Sequence, residues 1–283
     1  MDVPTILGQI SDLHIKAHGR KSYRVVDTAE SLRRCIAHVL NLKQPPGAIV
    51  ITGDLVDSGG AEEYTYLREL LAPLTMPYYM IPGNHDDRDA LRAAFPDHGY
   101  LRQHKDRIDY VVDEHDLRIV AVDTVVPRES GGRLDSKSME WLERTLSAGR
   151  DRPTMLLMHH PPFKTWIGHM DKVGLANPEI LHSVVVRHPQ VERILCGHLH
   201  RSIQVRFAGT IASTCPSPAH QVELDLGPDA PSQFVMEPPG YQLHVWDRPF
   251  GVVSHTAFIG EFDGPYPFYD EAGLIDQVED PIR

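Results

Sequence analysis

Eight side chains of a kind that binds metal ions follow apolar runs: Asp12 and His14, Asp54, Asn84 and His85, His159, and His198 and His200. Taken singly, each is ordinary. Asp-x-His is common in loops, Gly53-Asp54 is an everyday turn, and Pro82-Gly83-Asn84 suits a surface bend. Five such run ends in one chain are harder to explain as turns. The set offers imidazole nitrogens, carboxylates and one amide oxygen, with no thiolate. That chemistry favours Zn, Fe, Mn or Co over Ca, and over a cysteine-rich structural zinc site. Eight donors are too many for one ion, so the pattern predicts two divalent ions about 3.5–4 Å apart that share a carboxylate.

Those donors need elements to hold them. Val3 to Ile10, Ala48 to Thr52, Pro77 to Ile81, Ile119 to Asp123, Met155 to Met158 and Arg193 to Cys196 are short, nearly continuous apolar runs, the signature of buried parallel strands. Between them, Val25 to Leu40, Glu62 to Leu71, Ser136 to Ala148 and Asn177 to Val186 keep helical spacing. Alternation of this kind predicts an α/β fold. A parallel sheet brings the carboxyl ends of its strands to one edge, which gathers the five donor blocks around one pocket. After residue 200 the pattern alternates: 203–207 with 210–214 and 241–245 with 252–259 read as hairpins. The Pro- and Gly-rich stretch 227–240 reads as a loop.

Composition limits the partners. A net charge of −11 argues against a nucleic acid polymer. No apolar run approaches the roughly 18 residues of a membrane helix, and Met1 to Ile6 lacks the form of a signal peptide. Cys35, Cys196 and Cys215 form no pattern and read as reduced core thiols. The expectation is a cytoplasmic protein without a membrane partner.

The order Asp-x-His, Gly-Asp, Gly-Asn-His-Asp, His, Gly-His-x-His resembles the calcineurin-like metallophosphoesterases. Within them, "GDLVDSGGAEEY", "YYMIPGNHDD", "MHHPPF" and "CGHLH" are most similar to bacterial class III cyclic nucleotide phosphodiesterases and glycerophosphodiesterases. The likeness spans roughly residues 5 to 225. It implies a four-layer α/β/β/α sandwich with a small C-terminal β-rich cap. On that reading residues 1–202 form the catalytic domain, 203–263 a cap and dimerisation region whose first strands complete the sandwich, and 264–283 a tail.

Carried over residue by residue, the resemblance implies that Asp12, His14 and His200 hold one metal and Asn84, His159 and His198 the second, with Asp54 bridging. His85 becomes a phosphate-contacting histidine outside the metal sphere, and His160 a neighbour. His220 becomes a substrate contact, and Asp86 and Asp87 supporting residues. The implied reaction is hydrolysis of small phosphodiesters, 3′,5′-cyclic nucleotides slightly ahead of glycerophosphodiesters, by a hydroxide generated between the two ions. A pocket wall from Met236 to Tyr241 would select the substrate. Phosphomonoesterase or nucleotidase activity and a non-catalytic scaffold are the alternatives, and a homo-oligomer built from dimers is the expected assembly.

Overall fold

The computed structural model describes residues 5–271 and 273–274. In chain order the elements begin β1 Thr5–Ile10, α1 Thr28–Leu40, β2 Ala48–Ile51, α2 Ala61–Leu71, β3 Tyr78–Met80, α3 Arg88–Ala94, β4 Tyr110–Val112, β5 Arg118–Ala121, α4 Ser136–Ser147 and β6 Thr154–Leu157. They continue with α5 Gly168–Asp171, α6 Pro178–Val185, β7 Val191–Cys196, β8 Ile203–Phe207, β9 Thr210–Thr214, β10 Gln221–Val222, β11 Phe234–Val235, β12 Gly240–Asp247, β13 Gly251–Phe258, β14 Tyr269–Asp270 and β15 Gly273–Leu274. Helix starts follow local chemistry. Asp27, Asp87 and Asp135 each accept a backbone N–H of the helix they precede, and Pro178 opens α6. The first helix thus starts at Thr28, not at the apolar pair Val25-Val26, which leaves residues 16–27 as a connection.

Two mixed sheets form the centre, ordered β13-β12-β1-β2-β3 and β4-β5-β6-β7-β9-β8. Their packing follows from the period of two along a strand. Ile119, Ala121, Met155, Leu157 and Leu195 belong to the core that includes Ile49, Ile51, Leu32 and Leu67. Their neighbours Val120, Val122, Leu156, Met158, Ile194 and Cys196 pack with Leu142, Leu146, Leu181 and Val184 of α4 and α6. Successive residues of β5, β6 and β7 therefore serve two cores, one between the sheets and one beneath the outer helices. This double burial is why those strands read as unbroken apolar runs, and each buried Leu or Ile contributes about 1.5–3 kcal/mol.

The region 203–263 is distributed between the two sheets. β8 and β9 extend the second, with β9 parallel to β7, whereas β12 pairs antiparallel with β1 and carries β13 outside it. Tyr241 of β12 is fully buried, and its hydroxyl lies 2.9 Å from Nδ1 of His38 on α1. Phe234 and Val235 form β11, which pairs with β10 inside the stretch read as a loop. Of the expected tail 264–283, residue 272 and residues 275–283 lie outside the described residues.

If β12 and β13 are integral, a fragment ending at residue 239 leaves β1 as an open edge and removes Tyr241 from the core. We expect such a fragment to lose the cooperative thermal transition of the full chain in circular dichroism. A fragment that melts cooperatively at the same temperature would make the hairpin a separable addition.

Candidate metal centre

The parallel strands β1, β2 and β3 of one sheet and β6 and β7 of the other all end at the same edge, and each is followed by candidate donors. Ser11-Asp12 follows β1, Thr52-Gly53-Asp54 follows β2, Asn84 and His85 follow β3, His159 follows β6, and His198 and His200 follow β7. The backbone turns sharply there. Asp12, His14, Asp54, His198 and His200 all have positive φ, between 46° and 72°. Left-handed backbone in a non-glycine residue costs about 1–3 kcal/mol and persists only where its surroundings enforce it.

Those surroundings are specific. The Asp12 and His14 amides donate to the carbonyls of Gly53 and Asp54 at 3.0 and 2.9 Å, and Gly197 donates to the His159 carbonyl at 3.1 Å. Three glycines allow the loops to touch. A Cβ on Gly53 would lie 2.4 Å from His159 Nδ1, one on Gly83 2.3 Å from the Asp54 amide nitrogen, and one on Gly197 2.5 Å from the Thr52 carbonyl. Asp86 joins two of the loops, accepting from the amides of Gly83 and Leu55 and from the Tyr64 hydroxyl. Asp87 caps α3.

The hydrogen bonds behind the rings decide what faces the centre. His159 Nδ1 donates to the Thr52 carbonyl at 2.8 Å, so its Nε2 is the nitrogen that faces the centre. That nitrogen lies 3.2 Å from Asn84 Oδ1 and 3.5 Å from Asp54 Oδ1. His200 Nδ1 donates to the His220 carbonyl at 3.0 Å, which directs its Nε2 to His14 Nε2 at 3.1 Å and Asp12 Oδ1 at 3.8 Å. The other Asp54 oxygen, Oδ2, is 3.5 Å from His14 Nε2. Asp12 Oδ2 and His198 Nε2 are buried without a hydrogen-bond partner.

Acceptors that face acceptors in a buried site need positive charge between them. Donor separations of this size also suit bonds of about 2.0–2.2 Å to a first-row ion. The donor set therefore fits metal ions, and it divides into two groups joined by Asp54. Asp12, His14 and His200 could hold one ion, and Asn84, His159 and His198 the other, with one Asp54 oxygen toward each. All seven expected ligand positions converge. His160 does not offer a ligand atom, since Thr124 Oγ1 and the Ser130 carbonyl occupy its two nitrogens at 2.8 and 3.1 Å.

Electrostatics point the same way. Burial drives His14 well below the ordinary imidazole range and lowers His198 to about 3 and His200 to about 4, so these rings are neutral donors. Burial also pushes the Asp12 carboxyl up to about 7. At His159 burial acts downward, but the Asp54 carboxylate outweighs it and lifts the ring to about 9. The interior thus stabilises a positive charge between His159 and Asp54, a place that a proton on His159 Nε2 fills when no cation is bound and that a bound cation would take over.

Above the donors lies a cavity of about 480 Å³. His85 lines it, with Nδ1 donating to the Asp57 carbonyl at 2.7 Å and its amide donating to Asp54 Oδ1 at 3.0 Å. Burial acts to lower its pKa, and Asp54 with the Asp57 carbonyl reverses that to a net rise. His220 also lines the cavity. Its ring centroid is 4.6 Å from that of His200, and burial holds it neutral, with a pKa of about 3. The expected wall from Met236 to Tyr241 is replaced by Val222, Ser232, Gln233 and Phe234. Met236 is exposed and Tyr241 belongs to the core, while the pairing of Val222 in β10 with Phe234 in β11 holds residues 232–234 at the cavity.

Three residues escaped the sequence reading. Asp57 groups with His14 and His85, and accepts from Lys16 Nζ and Ser22 Oγ. Its signal was a second acid three positions after Asp54. Tyr23 and Phe234 pack against His220 at 5.3 and 5.2 Å between ring centroids, and neither had a local signal.

Comparison with known proteins agrees with this geometry. The family model for the calcineurin-like phosphoesterases matches residues 7–202. A probable glycerophosphodiester phosphodiesterase, GpdQ, of Arcobacter nitrofigilis is 40% identical over 273 residues, covering 96% of this chain and 100% of that protein. A GpdQ of Enterobacter lignolyticus is 32% identical, with 94% and 95% covered. A 3′,5′-cyclic adenosine monophosphate phosphodiesterase, CpdA, of Pseudomonas aeruginosa is 30% identical over 71% of each chain. The fold is similar to that of a dimetal phosphatase from Danio rerio, with a TM-score of 0.61 at 15% identity over 92% of this chain and all of the other.

Gly83→Ala tests the contact between loops. The added methyl group meets both the Asp54 carboxylate and the Asp54 amide nitrogen, so we expect a loss of about 1–3 kcal/mol in thermal or urea unfolding, together with reduced metal uptake. An unchanged midpoint would show that the loop yields without cost.

Proposed function

The chain belongs to the calcineurin-like phosphoesterases, and from that premise we propose that it hydrolyses small phosphodiesters at a site holding two divalent metal ions. The observation that carries this reading is the convergence of nitrogen and oxygen donors into two groups that share Asp54. We assign Asp12, His14, His200 and Asp54 to one ion, and Asn84, His159, His198 and Asp54 to the other. Mn, Fe, Zn and Co all suit these donors. When bound, the ions supply Lewis-acid activation of the phosphoryl group and of water, and positive charge that the cavity lining lacks.

The chain's own residues do the rest. His85 is anchored through Nδ1, so Nε2 is left for the substrate side and can give a proton to the departing alkoxide oxygen. Asn84 contributes a neutral donor, which preserves the electrophilic character of its ion. His220, Tyr23 and Phe234 form an aromatic and imidazole wall for one alcohol arm of the diester. Overall, the oxygen of water joins phosphorus, one ester P–O bond breaks, and the products are an alcohol and a phosphomonoester.

Glycerophosphodiesters are the leading substrate class, because the relatives named for that activity match along nearly the whole of both chains. Cyclic nucleotides are the second reading, supported by relatives matched over about 71% of this chain. A non-catalytic role sits poorly with a donor set in which no position is lost.

No helix among the described residues is long and apolar enough to cross a membrane. We assign the protein to the cytoplasm, a reading supported by three buried free cysteines. Exposed Phe250, Phe258, Phe262, Tyr266 and Phe268 support association into dimers through the C-terminal strands; a single monomeric boundary in sedimentation velocity would contradict that.

Asp54→Ala should remove both ions by elemental analysis and essentially all hydrolysis of bis(p-nitrophenyl) phosphate, while the far-ultraviolet spectrum stays that of a folded protein. Strong residual activity would refute the shared-ligand role. His85→Ala should keep its metal content and lose about 10²–10⁴-fold in kcat; normal turnover would make it a bystander. Glycerophosphocholine, glycerophosphoethanolamine, cyclic AMP and p-nitrophenyl phosphate assayed side by side separate the substrate readings. Preference for the monoester would overturn the diesterase assignment.

A further inference from the structure

The cavity over the metal candidates continues into a second cleft of about 670 Å³, and Ser130 and Val173 line both. The two spaces differ in charge. None of the residues lining the first is Lys or Arg, whereas Arg133, Lys164 and Lys172 line the second. No ion pair or side-chain hydrogen bond engages these three cations among the described residues.

Two carboxylates also border the cleft. Asp171 is committed to its own turn, with Oδ1 accepting from the Thr165 amide and hydroxyl at 2.7 and 2.9 Å and Oδ2 from the Trp166 amide at 3.0 Å. Glu129 remains, so three uncommitted cations face one uncommitted carboxylate. This local excess stands in a chain whose net charge is −11. Backbone floors the cleft: Gly132 donates to the Gly174 carbonyl at 3.1 Å, and a Cβ on Gly132 would lie 2.5 Å from the His160 ring.

We propose that this cleft is a subsite for a second anionic group, a phosphate carried on one alcohol arm of the diester. The inference rests on the phosphodiesterase reading and deepens it. A diester centred over Asn84 and His85 sends one arm toward Tyr23, His220 and Phe234, and the other past Ser130 and Val173 to the cations. Three exposed Lys and Arg side chains meeting a phosphate dianion give a preference of roughly tenfold, since each such pair is individually weak. Salt weakens it, because the groups are within reach of counterions.

The test uses two substrates that differ by one group: thymidine 5′-(p-nitrophenyl phosphate), and the same compound with a 3′-phosphate. For Mn-loaded full-length protein we expect kcat/KM to be about tenfold higher for the second, with the ratio shrinking as salt rises from low to high. In the triple variant Arg133→Ala, Lys164→Ala, Lys172→Ala the ratio should fall toward one. A ratio near one in the parent, or a ratio that survives the triple substitution, overturns the subsite. Calorimetric titration of thymidine 3′,5′-bisphosphate into chelator-treated protein gives an independent reading: binding should weaken about tenfold in the triple variant, and equal affinity would count against the proposal. If the loaded protein cleaves neither compound nor bis(p-nitrophenyl) phosphate, the hydrolase reading has failed, and the titration still decides the subsite.

Discussion

The rest of the structure depends on Asp54, a fully desolvated carboxylate with an imidazole nitrogen on each side. Its two oxygens lie 3.5 Å from His14 Nε2 and from His159 Nε2. Unpaired, such a group would cost the fold several kcal/mol. The protein surrounds it with more electron-pair donors and turns the Nδ1 protons of His159 and His200 outward to backbone carbonyls, which is the reverse of what a stable apolar core would do. Only cations at the two foci of this arrangement satisfy all of its members.

Holding donors so close together imposes requirements on the chain. Strand ends from two separate sheets must arrive at one edge, which a face-to-face sandwich of parallel strands achieves. Five donor residues must accept left-handed backbone, and their loops must touch at Gly53, Gly83 and Gly197. The cost of that geometry is met by rigid surroundings. Unbroken apolar strands buried on both faces anchor each loop at its base, and Asp86 ties the loop of Asp54 to that of Asn84. Strain at the centre and close packing beneath it are two sides of one design.

Above the centre the two sides of the cavity have different characters. Aromatic and imidazole rings from residues 23, 220 and 234 line one side, and a glycine-floored cleft with three cations opens on the other. Residues contributed by distant parts of the chain thus shape what surrounds a phosphoryl group, while the metal donors shape what happens to it. The residues that would select a substrate and those that would hold the metal ions are physically separate.

The sequence by itself determined the element types, the parallel strands and the donors. Those signals are local: an apolar run of five residues, a helical stripe, or Gly-His-x-His after a strand has its meaning within a few positions. It did not determine that β12 pairs with β1, some 235 residues earlier, since antiparallel register at that separation is fixed by packing and not by neighbouring residues. For the same reason the sequence points to Met236 to Tyr241 for a wall that Ser232 to Phe234 provide, and gives no sign of Tyr23, which lies just ahead of the helical stretch that starts at Val25. Asp57 carried a faint signal, but only the fold brings its carboxylate beside Lys16 and its carbonyl beside His85. Residue chemistry names the donors because ligand atoms must be of particular kinds. Tertiary structure alone decides which of them meet, because the distances between them are set by strands and loops that are far apart in the chain.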